Sequence, residues 1–155
     1  MRILPFALGL GLLAGLRTFT PVAAVAWAAH LGLLRLAGTP LAFLGATATP
    51  WVASALALAE LVGDKLSFTP SRKTLPQSGA RILSGALCGG AVALGLGGMV
   101  VIGVLAGISG ALVGTLGGAA GRGALARALG KDLPAALIED AVAVGGAALL
   151  VSRLP

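Results

Sequence analysis

Five ionisable residues lie inside stretches of the chain that are otherwise apolar. They are one arginine and two acidic pairs, Arg17, Glu60 with Asp64, and Glu139 with Asp140. A charged side chain at bilayer depth costs about 2.5–3.5 kcal/mol or more, so it persists where it has a partner, a cavity or a function. Carboxylates in such a place could bind a cation or a proton, and the arginine could be their counter-charge or hold an anion.

Arg17 stands near the middle of the first apolar run, residues 3–29. Pro21 lacks a backbone donor and clashes with the preceding turn, which frees carbonyl groups around Arg17 and Thr18. The hydroxyls of Thr18 and Thr20 could bond some of these carbonyls. The pattern predicts a broken helix with a cation at the break, and it adds both threonines to the candidate site.

The acidic residues are spaced so that both pairs can face one layer of the membrane. Glu60 and Asp64 are four residues apart and therefore share a helix face. Glu139 and Asp140 lie about 8–9 Å into the last predicted helix, at about 1.5 Å per residue. We expect both pairs in the cytoplasmic half of the membrane, with Arg17 above them.

A structural interpretation of the same residues stays open. Arg81 or Arg122 could lie below the carboxylates, so that buried ion pairs do no more than fix the register of the helices. Asp64 is followed by Lys65 and a polar stretch, so its side chain could also reach water from the interface. The functional interpretation is favoured for Arg17 and Glu60.

Composition places the chain in a membrane. The 155 residues are 57% hydrophobic and 10% charged, whereas soluble domains carry about 25% charged residues. The net charge of +6 comes from basic residues in short segments between apolar runs, which specifies orientation in a bilayer and is not a nucleic-acid signature. We expect one domain with the lipid bilayer as its surroundings.

The apolar runs predict an all-α polytopic bundle of about five membrane spans, one or two of them broken. The predicted spans are residues 4–29, 41–63, 82–95, 99–119 and 134–152, with a cytoplasmic loop at 65–81. In the second span the firm helix is 50–63, with Thr49 as its N-cap and 41–49 as a kinked lead-in or an interfacial segment. Residues 121–133 are predicted to be a basic linker, and Asp132 to cap the last helix.

Five glycines recur at three- and four-residue steps near one face of the fourth predicted span. They are Gly103, Gly107, Gly110, Gly114 and Gly118. Repeated small residues of this kind let membrane helices approach closely. We expect helix packing here, and a homo-oligomer joined through this face, because five short spans make a thin wall for a pore. A pore lined by bare backbone is the less favoured alternative.

The basic residues predict the orientation. With five spans, eight of the eleven lie on the side of the N-terminus and two, Arg35 and Arg153, on the other, while Arg17 is within the membrane. Basic residues favour the cytoplasm, so we expect a cytoplasmic N-terminus and a C-terminus outside. A re-entrant first segment would change this count.

Enzymatic and metal chemistry find no support in the sequence. The chain has one histidine, no tyrosine and one cysteine, Cys88, which lies in an apolar run. Neither a nucleophile with a nearby base nor a cluster with metal-ligand spacing is present. We therefore expect no enzyme, no cofactor, no metal and no nucleic-acid partner.

Four segments resemble the bacterial membrane-protein family catalogued as domain of unknown function 4126. They are Ala14-Gly-Leu-Arg-Thr-Phe-Thr-Pro21, Glu60-Leu-Val-Gly-Asp-Lys65, Arg81-Ile-Leu-Ser-Gly-Ala86 and Leu133-Pro-Ala-Ala-Leu-Ile-Glu-Asp140. The resemblance covers nearly the whole chain. It implies a multi-pass protein of the bacterial cytoplasmic (inner) membrane and no established activity, so it supplies no substrate.

We expect a small transporter or channel for an ion or solute, with a site built from the arginine and the carboxylates. The alternative is a protein that transports nothing, as a membrane scaffold, an assembly subunit or a lipid-binding protein.

Overall fold

The computed structural model of the chain describes residues 3–65 and 75–155. Most of this part is helical, and it contains no strand. The helices are α1 (Ile3–Leu16), α2 (Phe19–His30), α3 (Thr49–Gly63), α4 (Leu75–Gly95), α5 (Val100–Leu129) and α6 (Asp132–Ser152), with a short 3-10 turn at Ala42–Gly45. The all-helical bundle predicted from the sequence is confirmed.

Three helices are long and apolar enough to cross a membrane: the Pro76–Gly95 part of α4, all of α5 and all of α6. Among the described residues α1 and α3 are shorter apolar helices. The protein is therefore membrane-like in its helices, with three clear candidate spans where the sequence predicted five.

The first predicted span, residues 4–29, is two antiparallel helices. Ile3, at the start of α1, packs on Gly98, and Leu34, just after α2, packs on Gly95, so both lie beside the end of α4. Near the start of α4, Arg81 reaches the end of α1 instead. The chain therefore runs along α4 through α1 and returns through α2. The predicted break is present at residues 17 and 18, but the chain reverses there instead of continuing.

Helix length explains why the reversal is possible. α1 has 14 residues and α2 has 12, which makes them about 21 Å and 18 Å long at about 1.5 Å per residue. Neither covers the roughly 30 Å hydrocarbon core alone. The length of the apolar run 4–29 suggested one span, because length alone does not show that α2 runs back antiparallel to α1.

Several helix boundaries differ from the sequence-based ones. Residues 75–81 of the predicted loop belong to α4, while residues 66–74 lie outside the described residues. α5 continues to Leu129 through most of the predicted linker, and Gly130 ends it with a φ of 69°. Asp132 is the first residue of α6, so it is not the cap.

The segment before α3 contains a 3-10 turn at Ala42–Gly45. The helix itself begins at Thr49, one residue earlier than expected. The Thr49 hydroxyl makes no capping bond to α3; it donates a hydrogen bond of 2.6 Å to the carbonyl of Phe43 and so ties the helix to the turn.

The glycine face of α5 is buried inside the bundle. Cβ atoms added at Gly103 or Gly107 would overlap the backbone of α4, and Cβ atoms at Gly110 or Gly114 would overlap that of α1. This face packs α5 onto its own chain and is not available to a second copy, so the predicted oligomer contact through it is wrong. Gly118 lies past the contact, in a cleft between α5 and α6.

The two ends of the bundle differ in content. Ile3, Leu34, Val151 and Leu154 share one hydrophobic cluster, so the described chain begins and finishes at the same end, which we name the terminal end. The opposite end, which we name the break end, holds residues 17 and 18. The sequence predicted the termini on opposite sides; they lie together because the α1–α2 pair returns to where it started.

Candidate functional site

Arg17 occupies the break between α1 and α2 and is completely buried. Its guanidinium pairs with the carboxylate of Asp64, which directly follows α3. The other terminal nitrogen lies 2.5 Å from Oδ1 of Asp140, in α6. One buried cation thus connects three parts of the chain, and the arginine and carboxylates singled out in the sequence do meet.

Glu60, which belongs to the neighbouring helix α3, caps the start of α2. Its two carboxylate oxygens accept the backbone N–H groups of Thr18 at 2.7 Å and of Phe19 at 2.9 Å. These N–H groups have no partner within α2 because they belong to its first turn. A negative charge there also complements the positive end of the helix dipole.

Arg81 bonds the free backbone carbonyls at the end of α1. Its guanidinium donates to the carbonyl oxygens of Gly15 and Leu16 at 2.5 and 2.7 Å. A cation at a helix C-terminus complements the negative end of the dipole. The break therefore has a carboxylate facing the helix that begins there and a guanidinium facing the helix that ends there.

The predicted role of the two threonines is wrong. The freed carbonyls are bonded by Arg81 and by Ser84, whose hydroxyl donates to the Thr18 carbonyl at 2.6 Å. Thr20 Oγ1 is buried without a hydrogen-bond partner in the described part of the chain. Thr18 contributes its backbone groups to the break, and its side chain lines a cleft described below.

Lys65 and Glu139 complete the site. Lys65 Nζ lies 2.5 Å from Oδ2 of Asp140, so that carboxylate is shared between Lys65 and Arg17. Glu139, which is 8% exposed, lies 4.0 Å from Arg17 and 3.6 Å from Arg122. We name the seven side chains of this region the ionic break: Arg17, Glu60, Asp64, Lys65, Arg81, Glu139 and Asp140.

Charge in the ionic break is nearly balanced. Among the described residues three cationic side chains face four carboxylates, and Arg122 adds a further cation 3.6 Å from Glu139. Charges interact more strongly in a low-dielectric interior than in water. Exchange of partners among these paired charges is the chemistry that the arrangement offers.

A cleft of about 380 Å³ reaches the ionic break between α2, α3 and α4. Glu60, Asp64 and Arg81 line it, together with Thr18 and Gln77. The side chains of Glu60 and Asp64 keep 12% and 11% of their surface exposed, so a small ligand could reach a carboxylate.

Three contributors were missed or misplaced by the sequence reasoning. Arg81 was predicted either in the solvent loop or below the carboxylates, and it is 2% exposed; Ser84 and Lys65 were given no role. The spacing Gln77, Arg81, Ser84 places one polar face on a helix, and this face was the signal that could have found them. Lys65 bonds across to α6 and not to its neighbour Asp64, which no local pattern encodes.

The described residues contain no group of three or more histidine, cysteine or acidic side chains placed to hold a metal ion. The carboxylates of the ionic break are instead directed at cationic side chains and backbone N–H groups.

Comparison with known proteins gives a family and no function. Neither a curated protein nor a solved structure matches the chain. One family profile, described as Domain of unknown function (DUF4126), matches residues 4–153. Because that match covers nearly all of the sequence, including every helix of the ionic break, the chain belongs to the DUF4126 family.

Proposed function

We propose that the protein is a non-enzymatic membrane transporter or channel that moves a small ion or solute past the ionic break. The single observation that carries the proposal is the α1–α2 break itself. Two short helices end inside the bundle at Arg17 and Thr18, and charged side chains from α3, α4 and α6 converge on them. Discontinuous helices with such ends are where transporters place their substrate sites.

The proposed mechanism uses exchange of ion-pair partners. Asp140 touches both Arg17 and Lys65, so a ligand that takes over one contact leaves the carboxylate with the other. Exchange of this kind avoids an uncompensated buried charge, which would cost about 3–5 kcal/mol. The cleft beside Glu60 and Asp64 would admit the ligand from the break end.

Flux measurements in proteoliposomes test this function. We would compare wild type with Arg17→Gln and Glu60→Gln, using a panel of ions and a pH-sensitive dye. Transport predicts flux in wild type that is lost in variants which still insert and fold. Asp132→Asn is the matched control, because Asp132 is 64% exposed and lies outside the ionic break. Absence of wild-type flux for every tested species would contradict the proposal.

One observation favours the alternative, a scaffold, assembly subunit or lipid-binding protein. Each charge of the ionic break already has an opposite charge within 4.0 Å. Such a network could serve only to fix how the helices pack. This alternative predicts that Arg17→Gln aggregates or loses a partner, and that there is no flux to lose.

For location we propose a bacterial cytoplasmic membrane with the break end towards the cytoplasm. Among the described residues, Lys65, Arg81, Arg122, Arg127 and Lys131 lie at the break end, and Arg35 and Arg153 at the terminal end. Basic residues favour the cytoplasmic side. Both termini would then lie on the outer side of the membrane. For the N-terminus this is the reverse of the cytoplasmic location expected from the sequence. The test is a C-terminal fusion to a reporter that works only in the cytoplasm. Activity of this fusion would contradict the proposed orientation.

We also propose a homo-oligomer, because a single bundle of this size would give a pore only a thin wall. Its interface would have to use exposed apolar faces, such as the outer side of α6 with Leu137 and Leu149 at 52% and 56% exposure. Cross-linking in membranes that yields only monomer would count against it.

A further inference from the structure

An apolar cleft of about 500 Å³ lies between the end of α5 and the start of α6. Only residues 130 and 131 join these two helices. The wall of the cleft is apolar apart from Arg122 and Glu139, whose charged groups lie 3.6 Å apart. Ile138 and Val142 line the cleft, yet they are 47% and 53% exposed. The two helices therefore separate beside their connection and leave a groove that is open to the membrane.

Helix length places this cleft at the boundary between the hydrocarbon core and the head groups. α5 has 30 residues, which is about 45 Å at about 1.5 Å per residue. The hydrocarbon core is about 30 Å thick, so about ten residues at the end of α5 extend beyond it when the length is counted from Val100. The α5 side of the cleft runs from Gly118 to Ala128. Its deeper part therefore borders the lipid tails, and its outer part borders the head groups.

Two cations lie beside the outer part of the cleft. Arg127 belongs to the last turn of α5, and Lys131 belongs to the connection. Both residues are exposed, and neither forms an ion pair with another residue in the described ranges. Arg122, by contrast, is held by Asp132 and Glu139. Arg127 and Lys131 are therefore the cations available to an anion at this cleft.

We propose that the cleft binds one anionic phospholipid of the surrounding bilayer, with an acyl chain in the groove and the phosphate at Arg127 and Lys131. Basic pockets between transmembrane helices on the cytoplasmic side bind anionic lipid head groups. The break end, which holds this cleft, is the end that we propose to face the cytoplasm. The inference goes beyond the proposed function, since lipid binding here needs no transported species.

Charge and shape together separate this lipid from other occupants. A zwitterionic phospholipid has the same tails, but its head group carries its own cation and gains less from Arg127 and Lys131. A second copy of the chain, seated symmetrically in the groove, would bring the same two cations against the first pair, and like charges oppose association. A soluble anion would meet the cations but leave the apolar groove unfilled. An anionic lipid satisfies both parts of the cleft.

Lipid binding to the purified full chain in detergent tests the inference. Native mass spectrometry would compare dioleoyl phosphatidylglycerol with dioleoyl phosphatidylcholine, which has the same tails and no net charge. We expect one bound phosphatidylglycerol with an affinity about 25-fold above that of phosphatidylcholine, because each of two basic residues contributes about fivefold. Equal affinity for the two lipids would overturn the inference.

Two double variants with the same loss of charge locate the head group. Arg127→Gln with Lys131→Gln should remove the preference for phosphatidylglycerol. Arg35→Gln with Arg153→Gln removes two exposed cations from the terminal end instead, so the preference should remain. An equal preference in both double variants would mean that the lipid does not bind at Arg127 and Lys131, and the inference fails.

Two glycines of α5 give a matched pair of variants for the groove. A Cβ atom at Gly121 or at Gly117 would meet nothing within 4 Å, and of the two only Gly121 lines the cleft. Gly121→Leu should weaken binding of both lipids about tenfold, the equivalent of about two buried methylenes. Gly117→Leu should bind them as wild type does. Unchanged lipid binding in Gly121→Leu would overturn the inference. Loss of a cross-linked dimer, with lipid binding retained, would assign the groove to a second copy and also overturn it.

The inference and the proposed function can fail separately. Lipid binding with the expected charge preference but no flux would support the cleft as a lipid site and contradict transport. Flux in wild type, with no preference for phosphatidylglycerol in the same preparation, would leave transport standing and overturn the inference.

Discussion

Two of the contacts that hold α1 in the bundle work in opposite ways. One is the glycine contact, which consists of Gly11 and Gly15 of α1, Gly85 and Gly89 of α4, and Gly103, Gly107, Gly110 and Gly114 of α5. The other is the ionic break at the end of the same helix. The glycine contact depends on the absence of side-chain atoms between the helices, and the ionic break depends on paired charges.

The difference follows from the physics of a bilayer. Helices surrounded by lipid gain little from hiding apolar surface, so their association depends on close packing and polar contacts. In the glycine contact, Gly107 lies between the backbones of α1 and α4, and a Cβ there would overlap the Gly85 carbonyl. This contact should tolerate almost no added volume and be indifferent to charge.

The ionic break should show the reverse behaviour. Arg17 and Arg81 are large side chains with relative exposures of 0% and 2%, and their neighbours are carboxylates and backbone carbonyls. Desolvation of these groups is costly, so the region is stable only while opposite charges stay matched. Replacing charge by an uncharged group of similar size should therefore matter more than a change in volume.

The largest effect should come from adding volume at the glycine contact. Gly107→Leu would separate α5 from α4, because the nearest atoms belong to the α4 backbone and cannot turn aside. We expect a loss of more than about 5 kcal/mol, comparable with the whole stability of many proteins. Size-exclusion profiles and thermal unfolding in detergent should show no folded protein.

Gly117→Leu is the control for that variant. It lies in the same helix, and an added Cβ would meet nothing within 4 Å. We expect an unchanged elution profile and unfolding temperature. Similar behaviour of the two variants would mean that the close approach of the helices does not determine stability.

A smaller but still large effect should follow from removing charge at the ionic break. Arg17→Gln takes the guanidinium away from Asp64 and Asp140. Breaking a buried pair on one side typically costs about 3–5 kcal/mol. The unfolding free energy in detergent should fall by that amount, whereas Arg35→Gln at the exposed loop of the terminal end should change it little.

The double variant Arg17→Gln, Asp64→Asn distinguishes charge from packing. If unmatched charge causes the loss, neutralising Asp64 should recover part of it, since Asp140 still has Lys65. A double variant that is less stable than Arg17→Gln alone would show that the packing of these side chains, and not their charge balance, is what matters.

Residue types and spacing predicted what the two contacts are made of. Pro21 after an arginine in an apolar run indicated the break, which lies at residues 17 and 18. The steps between Gly103 and Gly114 indicated close packing, and each of these glycines touches a backbone. The four-residue spacing of Glu60 and Asp64 placed both beside the break. Such features are local, so a single segment carries them.

What the residues contact could not be read from the sequence. The glycine face suggested a second copy, but its partners are α1 and α4 of the same chain. The backbone at the start of α2 is bonded by Glu60 and Ser84, which come from distant segments. The sequence left Arg81 either in a solvent loop or in an ion pair with the carboxylates, because a cation beside a polar stretch suits both places. Only tertiary packing distinguishes the two.

The smallest effect should arise where an ion pair reaches solvent. Asp132 accepts two hydrogen bonds from Arg122, at 2.9 and 2.6 Å, yet its side chain is 64% exposed. Exposed pairs are screened by water and salt and contribute about 0.2–1 kcal/mol. A double-mutant cycle of Asp132→Asn with Arg122→Gln should give a coupling in that range that decreases with added salt. A coupling above about 2 kcal/mol would instead place this pair inside the ionic break, because Arg122 also lies 3.6 Å from Glu139. Stability would then depend on matched charges as far as the surface. The whole break end, and not only its buried part, would differ from the glycine contact in this way.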